Sequence, residues 1–333
     1  MKSFLPLFVL SAALTGPFLL AKEMGEGPLS WDHLPPLPDE EGFAGTFAGI
    51  VSSKEAGKDY LVVAGGANFP EGRPWEKEKN PQKVYYDVAF KLELGSDEQG
   101  SWEKLEAPLG QRVAYGMSVT LSRRGSALFI GGKESAATDA VWEVSADQAG
   151  ELTFSPRVKY PLPIVEGVAG LVGEKVIVVG GATNKEGGGF GTVQEAYMLD
   201  TSREEGEWEW EPLPWPQAAE GEMARGRVYA VAGVRPDHFY MFGGRDYADS
   251  AEPAPGRVHQ AKLDILSDCY ALNMKGEKPA WKRLADLPQG MSAAPSAALP
   301  VGVSHLLVLG GVSADYWRQQ FEDRPELNGA GEE

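Results

Sequence analysis

The chain has one cysteine, Cys269, in 333 residues. A lone cysteine cannot form an internal disulfide, so the fold must hold without covalent staples, and Cys269 is expected to pack as a small hydrophobe in a strand. Histidine is also scarce. His33, His238, His259 and His305 are the full set, and no HxH or HExxH spacing links them. That leaves a protein-built zinc or copper site with little support. No Gly-x-Ser-x-Gly elbow is present, so the usual strand–turn–helix presentation of a serine nucleophile is missing. Sialidase-type Ser-x-Asp-x-Gly-x-x-Trp turns are absent too. Basic charge is the minority sign: 31 Lys and Arg stand against 48 Asp and Glu, for a net charge of −17. Nucleic-acid binding needs a basic footprint, so nucleic acid is not an expected partner. The acidic runs Asp39-Glu-Glu41 and Glu204-Glu-Gly-Glu-Trp-Glu-Trp-Glu211 read as solvated edges that favour solubility.

Long apolar runs are confined to the N-terminus. Lys2 precedes an apolar stretch from Phe4 to Leu20, and the small residue Ala21 leads into charged sequence. This is the pattern of a secretory signal over residues 1–21. An uncleaved membrane anchor is the alternative, although Gly16-Pro17 interrupts the stretch and no second hydrophobic segment follows. An export signal without a disulfide framework points to a bacterial periplasm, with no stable membrane insertion once the signal is removed.

Glycine is plentiful, and its placement is informative. Five hydrophobic runs end in a pair of glycines: Tyr60-Leu-Val-Val-Ala-Gly65-Gly66, Ala127-Leu-Phe-Ile-Gly131-Gly132, Val176-Ile-Val-Val-Gly180-Gly181, His238-Phe-Tyr-Met-Phe-Gly243-Gly244 and His305-Leu-Leu-Val-Leu-Gly310-Gly311. The first glycines lie 66, 49, 63 and 67 residues apart. A recurrence on this scale marks a repeat architecture. The flanks repeat as well. A small-residue strand precedes the diglycine strand, as in Gly45-Thr-Phe-Ala-Gly-Ile50 and Gly167-Val-Ala-Gly-Leu171. An aromatic-bearing strand follows, as in Glu195-Ala-Tyr-Met-Leu199 and Asp268-Cys-Tyr-Ala-Leu272. Then comes Trp or Phe with Leu and Pro close behind, at Trp102, Phe154, Trp210 and Trp281. Four short strands per unit form the blade of an all-β, kelch-type β-propeller spanning residues 22–333. The glycines and tryptophans are read chiefly as architecture: positive φ at the turns, small residues near the axis and large rings in the gaps between blades.

The two ends leave the ring open. Trp31 with Leu34-Pro-Pro-Leu-Pro38 reads as an outer strand with no blade in front of it, expected to complete the closing blade. After Gly311 the fifth unit has its first two strands and then a Gly/Glu-rich tail, Asn328 to Glu333. The propeller is therefore expected to be truncated after the start of its fifth blade.

In a propeller, ligands bind over the axis, where loops after the diglycines converge. The long loop Gly65-Gly-Ala-Asn-Phe-Pro-Glu-Gly-Arg-Pro-Trp75 carries Asn68, Glu71 and Arg73; Arg112 precedes the second inner strand, Arg225 and Arg227 the fourth, and Arg245 follows the fourth diglycine. An arginine fork suits a carboxylate, while the plainer reading of each arginine is an ion pair between blades. Asn68, Arg73 and Arg112 are the candidate substrate-binding residues. No cofactor and no metal are expected.

Gly42-Phe-Ala-Gly-Thr-Phe-Ala-Gly-Ile50, Val63-Ala-Gly-Gly-Ala-Asn-Phe69 with Arg73, and Leu109-Gly-Gln-Arg-Val-Ala-Tyr-Gly116 resemble the kelch-type sialic acid mutarotases, or N-acetylneuraminate epimerases, in a cyclically permuted order. Gly310-Gly-Val-Ser-Ala-Asp-Tyr-Trp with Phe321-Glu-Asp323 is similar to a post-diglycine insertion of that family. The resemblance implies a six-bladed periplasmic propeller that interconverts the anomers of a small sugar acid without a metal, by acid/base ring opening, with arginine on the sugar carboxylate. It also implies a catalytic Glu placed as Gly-Glu with Arg shortly after. Gly132-Lys-Glu134 is one imitation of that pair and lacks the arginine. The catalytic residues therefore stay unassigned from sequence. Two other readings stay open: a non-catalytic propeller that holds a glycan or protein, and, remotely, a copper oxidase of the kelch type.

Overall fold

The computed structural model describes residues 33–73, 76–95, 100–246, 264–276 and 278–316. The chain divides by contact into Met1–Pro36 and Leu37–Glu333. Of the first unit only His33–Pro36 is described, and it has no regular secondary structure. The expected signal segment lies outside the described residues. So does Trp31; the part of its expected outer strand that is described, residues 33–38, forms no strand.

The second unit is a β-propeller. Four sheets of four antiparallel strands follow one another along the chain. The first blade runs Phe47–Ser53, Lys58–Ala64, Val88–Leu94 and Glu103–Glu106 from the axis outward. The second runs Met117–Leu121, Ser126–Ile130, Val141–Ala146 and Leu152–Pro156. The third comprises Val168–Val172, Lys175–Val179, Ala196–Asp200 and Trp210–Leu213, and the fourth Val231–Arg235, His238–Phe242, Cys269–Asn273 and Ala280–Arg283. A fifth unit contributes the hairpin Leu299–Val301 with His305–Leu307. Each boundary falls within a few residues of the repeat read from sequence.

Why these segments are strands is visible in the first blade. Phe47–Ser53 alternates buried and partly exposed residues, the period-2 signature of a strand. In register, Val62 lies opposite Gly49 on one side and Lys91 on the other. Inner-strand glycines leave room for the next blade. A Cβ on Gly49 would sit 2.7 Å from the Ala127 Cβ, and one on Gly233 2.4 Å from Leu306.

Blades do not share one core. A separate apolar cluster fills each interface. Phe47, Val62 and Ala64 meet Phe129, Trp142 and Val144 between blades one and two. Leu128 and Ile130 meet Val176, Val178 and Trp210 between two and three. Ile177 and Met198 meet Phe239, Met241 and Tyr270 between three and four. Val231 and Phe242 meet Ala298 and, at the edge, Leu306 beside the fifth unit. The outer tryptophans act as expected. Trp210 packs edge-on against Tyr160 at 5.0 Å, and the Trp281 indole N–H reaches across to the Pro214 carbonyl at 2.6 Å. Cys269 is buried, and burial pushes its thiol up to about 11, which fits an inert small hydrophobe.

The diglycines join consecutive blades. The second glycine of each pair donates its N–H to a backbone carbonyl at the lead-in of the next blade: Gly66 to Val113, Gly132 to Ile164, Gly181 to Arg227 and Gly244 to Met291, each at 2.8 Å. The first glycine holds φ between +62° and +66° in these four pairs. A Cβ there would lie 2.4, 2.3, 2.9 and 2.2 Å from those same four carbonyl oxygens. Both the dihedral and the approach call for glycine. Arg227, fully buried, also clamps the fourth blade from within: its guanidinium donates to both Asp268 carboxylate oxygens at 2.6 and 2.8 Å and to the Gly243 carbonyl at 3.1 Å.

Gly131→Ala should lower stability by about 2 kcal/mol or more, because left-handed backbone strain and overpacking against a fixed carbonyl add. Gly173→Ala has the same φ of +66° but nothing within 4 Å of its Cβ, so it should lose only about 1 kcal/mol. Urea midpoints of the two variants test this, and equal losses would remove the inter-blade contact as the cause.

Asp268 gives a pH signature. Burial pushes its carboxyl up, but hydrogen bonds from Arg227 and Tyr270 outweigh it and hold it below the usual range. A depressed folded pKa stabilises above the unfolded value of about 3.9 and is lost as pH falls through the folded value. Asp268→Asn should therefore destabilise at pH 7 by about 3 kcal/mol, leaving Arg227 buried and unpaired. Its deficit against the unsubstituted protein should shrink below about pH 4 in chemical denaturation, and a pH-independent deficit would contradict the linkage.

Candidate functional site

At the diglycine end of the blades the backbone forms an arc of hydrogen bonds around the axis. The residue two before each inner strand, or at the matching position, adopts left-handed φ: Gly45 at 67°, Tyr115 at 64°, Glu166 at 61°, Tyr229 at 51° and Ala293 at 56°. Each of the last four donates its N–H to the equivalent carbonyl one blade back. Tyr115 bonds Gly45 at 2.7 Å, Glu166 bonds Tyr115 at 2.8 Å, and Tyr229 bonds Glu166 and Ala293 bonds Tyr229 at 2.9 Å. The position is geometrically suited to glycine, and in the first blade it is glycine. In blades two to four it carries Tyr, Glu and Tyr. Large polar side chains held in strained backbone mark a candidate functional site.

The residue after each diglycine pairs beside this arc: Ala67 with Ala44, Lys133 with Ala114, Ala182 with Val165 and Arg245 with Val228. Blades two and four thus each add a cation. The Lys133 ammonium lies 2.8 Å from the Glu166 carboxylate, 4.3 Å from the centre of the Phe190 ring and 5.4 Å from that of Tyr115. The Arg245 guanidinium stands 5.4 Å over the Tyr229 ring and donates to the Ser292 hydroxyl at 2.7 Å. Glu166 is buried, which sets one carboxylate between two tyrosines.

The ribbon Ala67–Asn68 with Val84–Tyr85 adds a second wall. Tyr85 meets Tyr115 edge-on at 6.5 Å. Burial, reinforced by Tyr115, Glu166 and Glu134, pushes the Tyr85 hydroxyl up to about 12. Burial also raises Tyr115, opposed by Lys133. Both phenols keep their protons at neutral pH and can serve as donors rather than bases.

The expected binding residues also sit at the diglycine end, each with partners. The Asn68 amide N–H donates to the Gly42 carbonyl at 2.9 Å, and its oxygen accepts from the Tyr86 hydroxyl at 2.7 Å. Arg73 pairs with Glu41 at 2.6 Å. Arg112 is exposed, 3.8 Å from Glu134. Arg225 pairs with buried Asp246 at 2.8 Å, and Arg227 is structural. Sequence reading passed over Lys83, Tyr85, Tyr115, Lys133, Glu166 and Tyr229. Alignment of the repeats on their diglycines would have shown Tyr115, Glu166 and Tyr229 where the first repeat has glycine, and Lys133 where it has alanine. Concavities elsewhere include one of about 630 Å³ beside the fifth unit at Leu287, Met291 and Tyr316, and one of about 460 Å³ lined by the mutually paired Arg124, Arg157, Glu143 and Glu205.

No family model matches the chain. A stretch of 118 residues is 34% identical to an N-acetylneuraminate epimerase of Escherichia coli O139:H28, covering 34% of this chain and 30% of that protein. The N-acetylneuraminate epimerase of Escherichia coli K12 matches at 34% over 117 residues, 29% of its length. The similarity thus spans about a third of the curated relatives. A solved structure described as the structure of YjhT superposes with a TM-score of 0.61 and 16% identity, over 87% of this chain and 83% of that one. That likeness concerns the fold, a kelch-type β-propeller.

The raised tyrosines give a measurable expectation. In ultraviolet titration, the difference between the unsubstituted protein and Tyr85→Phe should show one phenolate appearing near pH 12. A raised folded pKa contributes stability below the unfolded value of about 10, lost as pH rises through the folded one. A Tyr85 transition near pH 10 would mean that the pocket is open to water.

Proposed function

We propose that the protein interconverts the α and β anomers of N-acetylneuraminate, or of a related sugar acid, by acid/base ring opening at this mouth. The observation that carries the reading is the buried Glu166 carboxylate, held at 2.8 Å by Lys133 between the backbone-linked Tyr115 and Tyr229. The partial identity to epimerases of that sugar supports the substrate class.

The chemistry needs one base and one proton donor. Glu166 accepts the proton of the anomeric hydroxyl. The bond from the anomeric carbon to the ring oxygen breaks, the anomeric carbon becomes a ketone, and the ring oxygen takes a proton from Tyr115 or Lys133. Rotation about the carbon chain offers the other face, and reclosure returns both protons. No net charge or electron is exchanged, so the step balances without a cofactor. Arg73 and Arg112, both exposed and each facing a glutamate, enter the reading as residues of the rim, with Asn68 beside them. In this reading the work is done in the periplasm, after removal of residues 1–21.

The test is one-dimensional NMR of freshly released α-anomer. The unsubstituted protein should speed its decay to the equilibrium mixture. Glu166→Gln, which keeps size and a hydrogen bond to Lys133 but not basicity, should cut that rate by about 10²–10⁴-fold while its urea midpoint stays close. A Glu166→Gln rate equal to that of the parent protein would remove Glu166 as the base.

A further inference from the structure

We infer that Lys83 is the residue that receives the negative charge of the ligand, a single carboxylate on a small molecule. This rests on the mouth being the ligand site and deepens the proposed function.

Lys83 stands at the start of the ribbon strand Val84–Tyr85. Its ammonium faces three rings, at 4.2 Å from the centre of Tyr115, 5.5 Å from Tyr85 and 5.9 Å from Phe69. It donates one hydrogen bond, to the Tyr115 hydroxyl at 2.5 Å. No carboxylate lies within ion-pair distance of it among the described residues. The neighbouring cations differ. Arg73 faces Glu41, Arg112 faces Glu134, Lys133 faces Glu166 and Arg225 faces Asp246. A ligand carboxylate reaching any of those must displace a protein carboxylate. At Lys83 it need displace none of the described carboxylates.

The chemistry of the cage agrees. An ammonium has three donors, and Lys83 spends one. Ring faces attract a cation but offer no acceptor for its N–H groups. Although Lys83 as a whole is exposed, the walled ammonium is partly desolvated, and that burial holds it below the usual lysine range, with Glu166 opposing the shift. Such a cation gains from an anion that can take its two remaining donors. The hydrogen bond to Tyr115 also ties it to the arc: a carboxylate on Lys83 would lie beside the tyrosine adjoining Glu166. In a sugar acid whose carboxylate is borne on the anomeric carbon, the anchor and the base act on neighbouring atoms and so must share one neighbourhood.

The experiment compares N-acetylneuraminic acid with its methyl ester, which has the same ring and no charge. Calorimetry on the full chain should show the acid preferred. Lys83→Met, which keeps the stem over the rings, should weaken acid binding by about tenfold to a hundredfold and leave ester binding within twofold, so the preference disappears. Lys83→Arg should keep part of the preference. If Lys83→Met retains the preference for acid, the inference is wrong and the rim arginines are the anchors. If the preference depends on Lys83 but the protein does not speed anomer exchange, the anchor stands and the proposed activity falls. If neither acid nor ester binds the unsubstituted protein, both are overturned. The ester arm also serves as the folding control, since a misfolded variant would lose it together with the acid.

Discussion

The approach of one backbone to the next at the diglycines sets the rest of the structure. At the end of each second strand a glycine N–H must reach a carbonyl of the following blade, and the preceding glycine must leave no Cβ in the way. The hydrogen bond itself contributes only about 1 kcal/mol. The steric condition is stricter: a methyl group at Gly65, Gly131, Gly180 or Gly243 would lie 2.2–2.9 Å from the receiving oxygen. Because the bond lands on the lead-in of the next inner strand, it fixes where that strand starts. It therefore fixes the pitch between blades and the packing of the apolar cluster at each interface.

The same constraint builds the candidate site. Once the lead-in is pinned, the residue before the inner strand is forced into left-handed backbone, and its N–H meets the matching carbonyl one blade back. Four such bonds link five positions. Every one of them would be comfortable as glycine, since a non-glycine residue loses about 1–2 kcal/mol there. Gly45 takes the comfortable option and Ala293 a mild departure from it. Tyr115, Glu166 and Tyr229 take the uncomfortable one, on three consecutive blades, and each is joined by a cation: Lys83 and Lys133 at Tyr115, Lys133 at Glu166, Arg245 at Tyr229. Strain concentrated on chemically capable side chains at one mouth is what a working site looks like.

Sequence periodicity showed the fold well because the fold is a repeat. Diglycines, inner-strand glycines such as Gly49 and the outer Trp210 and Trp281 recur at matched positions, and each has a steric reason to recur. The site was poorly legible for the opposite reason. Its residues are the exceptions to the repeat, and a search for shared positions passes over exceptions. Arginine drew attention by its chemistry; Arg227 is a blade clamp, and Arg73 stands at the rim facing Glu41. Lysines over aromatic rings carry no spacing signal. Lys83 and Tyr115 are 32 residues apart, and only blade-to-blade geometry brings them together. Trp31 itself lies outside the described residues, and residues 33–38 of its expected outer strand form no strand.

Charge explains why the mouth is built from caged cations. The chain carries a net −17, so an anionic ligand meets repulsion at long range. At physiological salt that repulsion is screened beyond about 8 Å, which makes local arrangement decisive. An arginine paired with a glutamate is locally near neutral and offers an anion little. A lysine held over rings remains a net positive centre, because the ring quadrupole steadies the ammonium without cancelling its charge. Aromatic support is thus a way to keep a cation in place in an acidic protein without surrendering it to a carboxylate. It also places a hydroxyl, that of Tyr115, within hydrogen-bonding reach of the cation and adjacent along the arc to the buried Glu166. In the proposed reading, proton donor and base are successive positions on one arc of backbone, each placed by the bond that joins one blade to the next, and the anchor reaches that arc from the neighbouring ribbon.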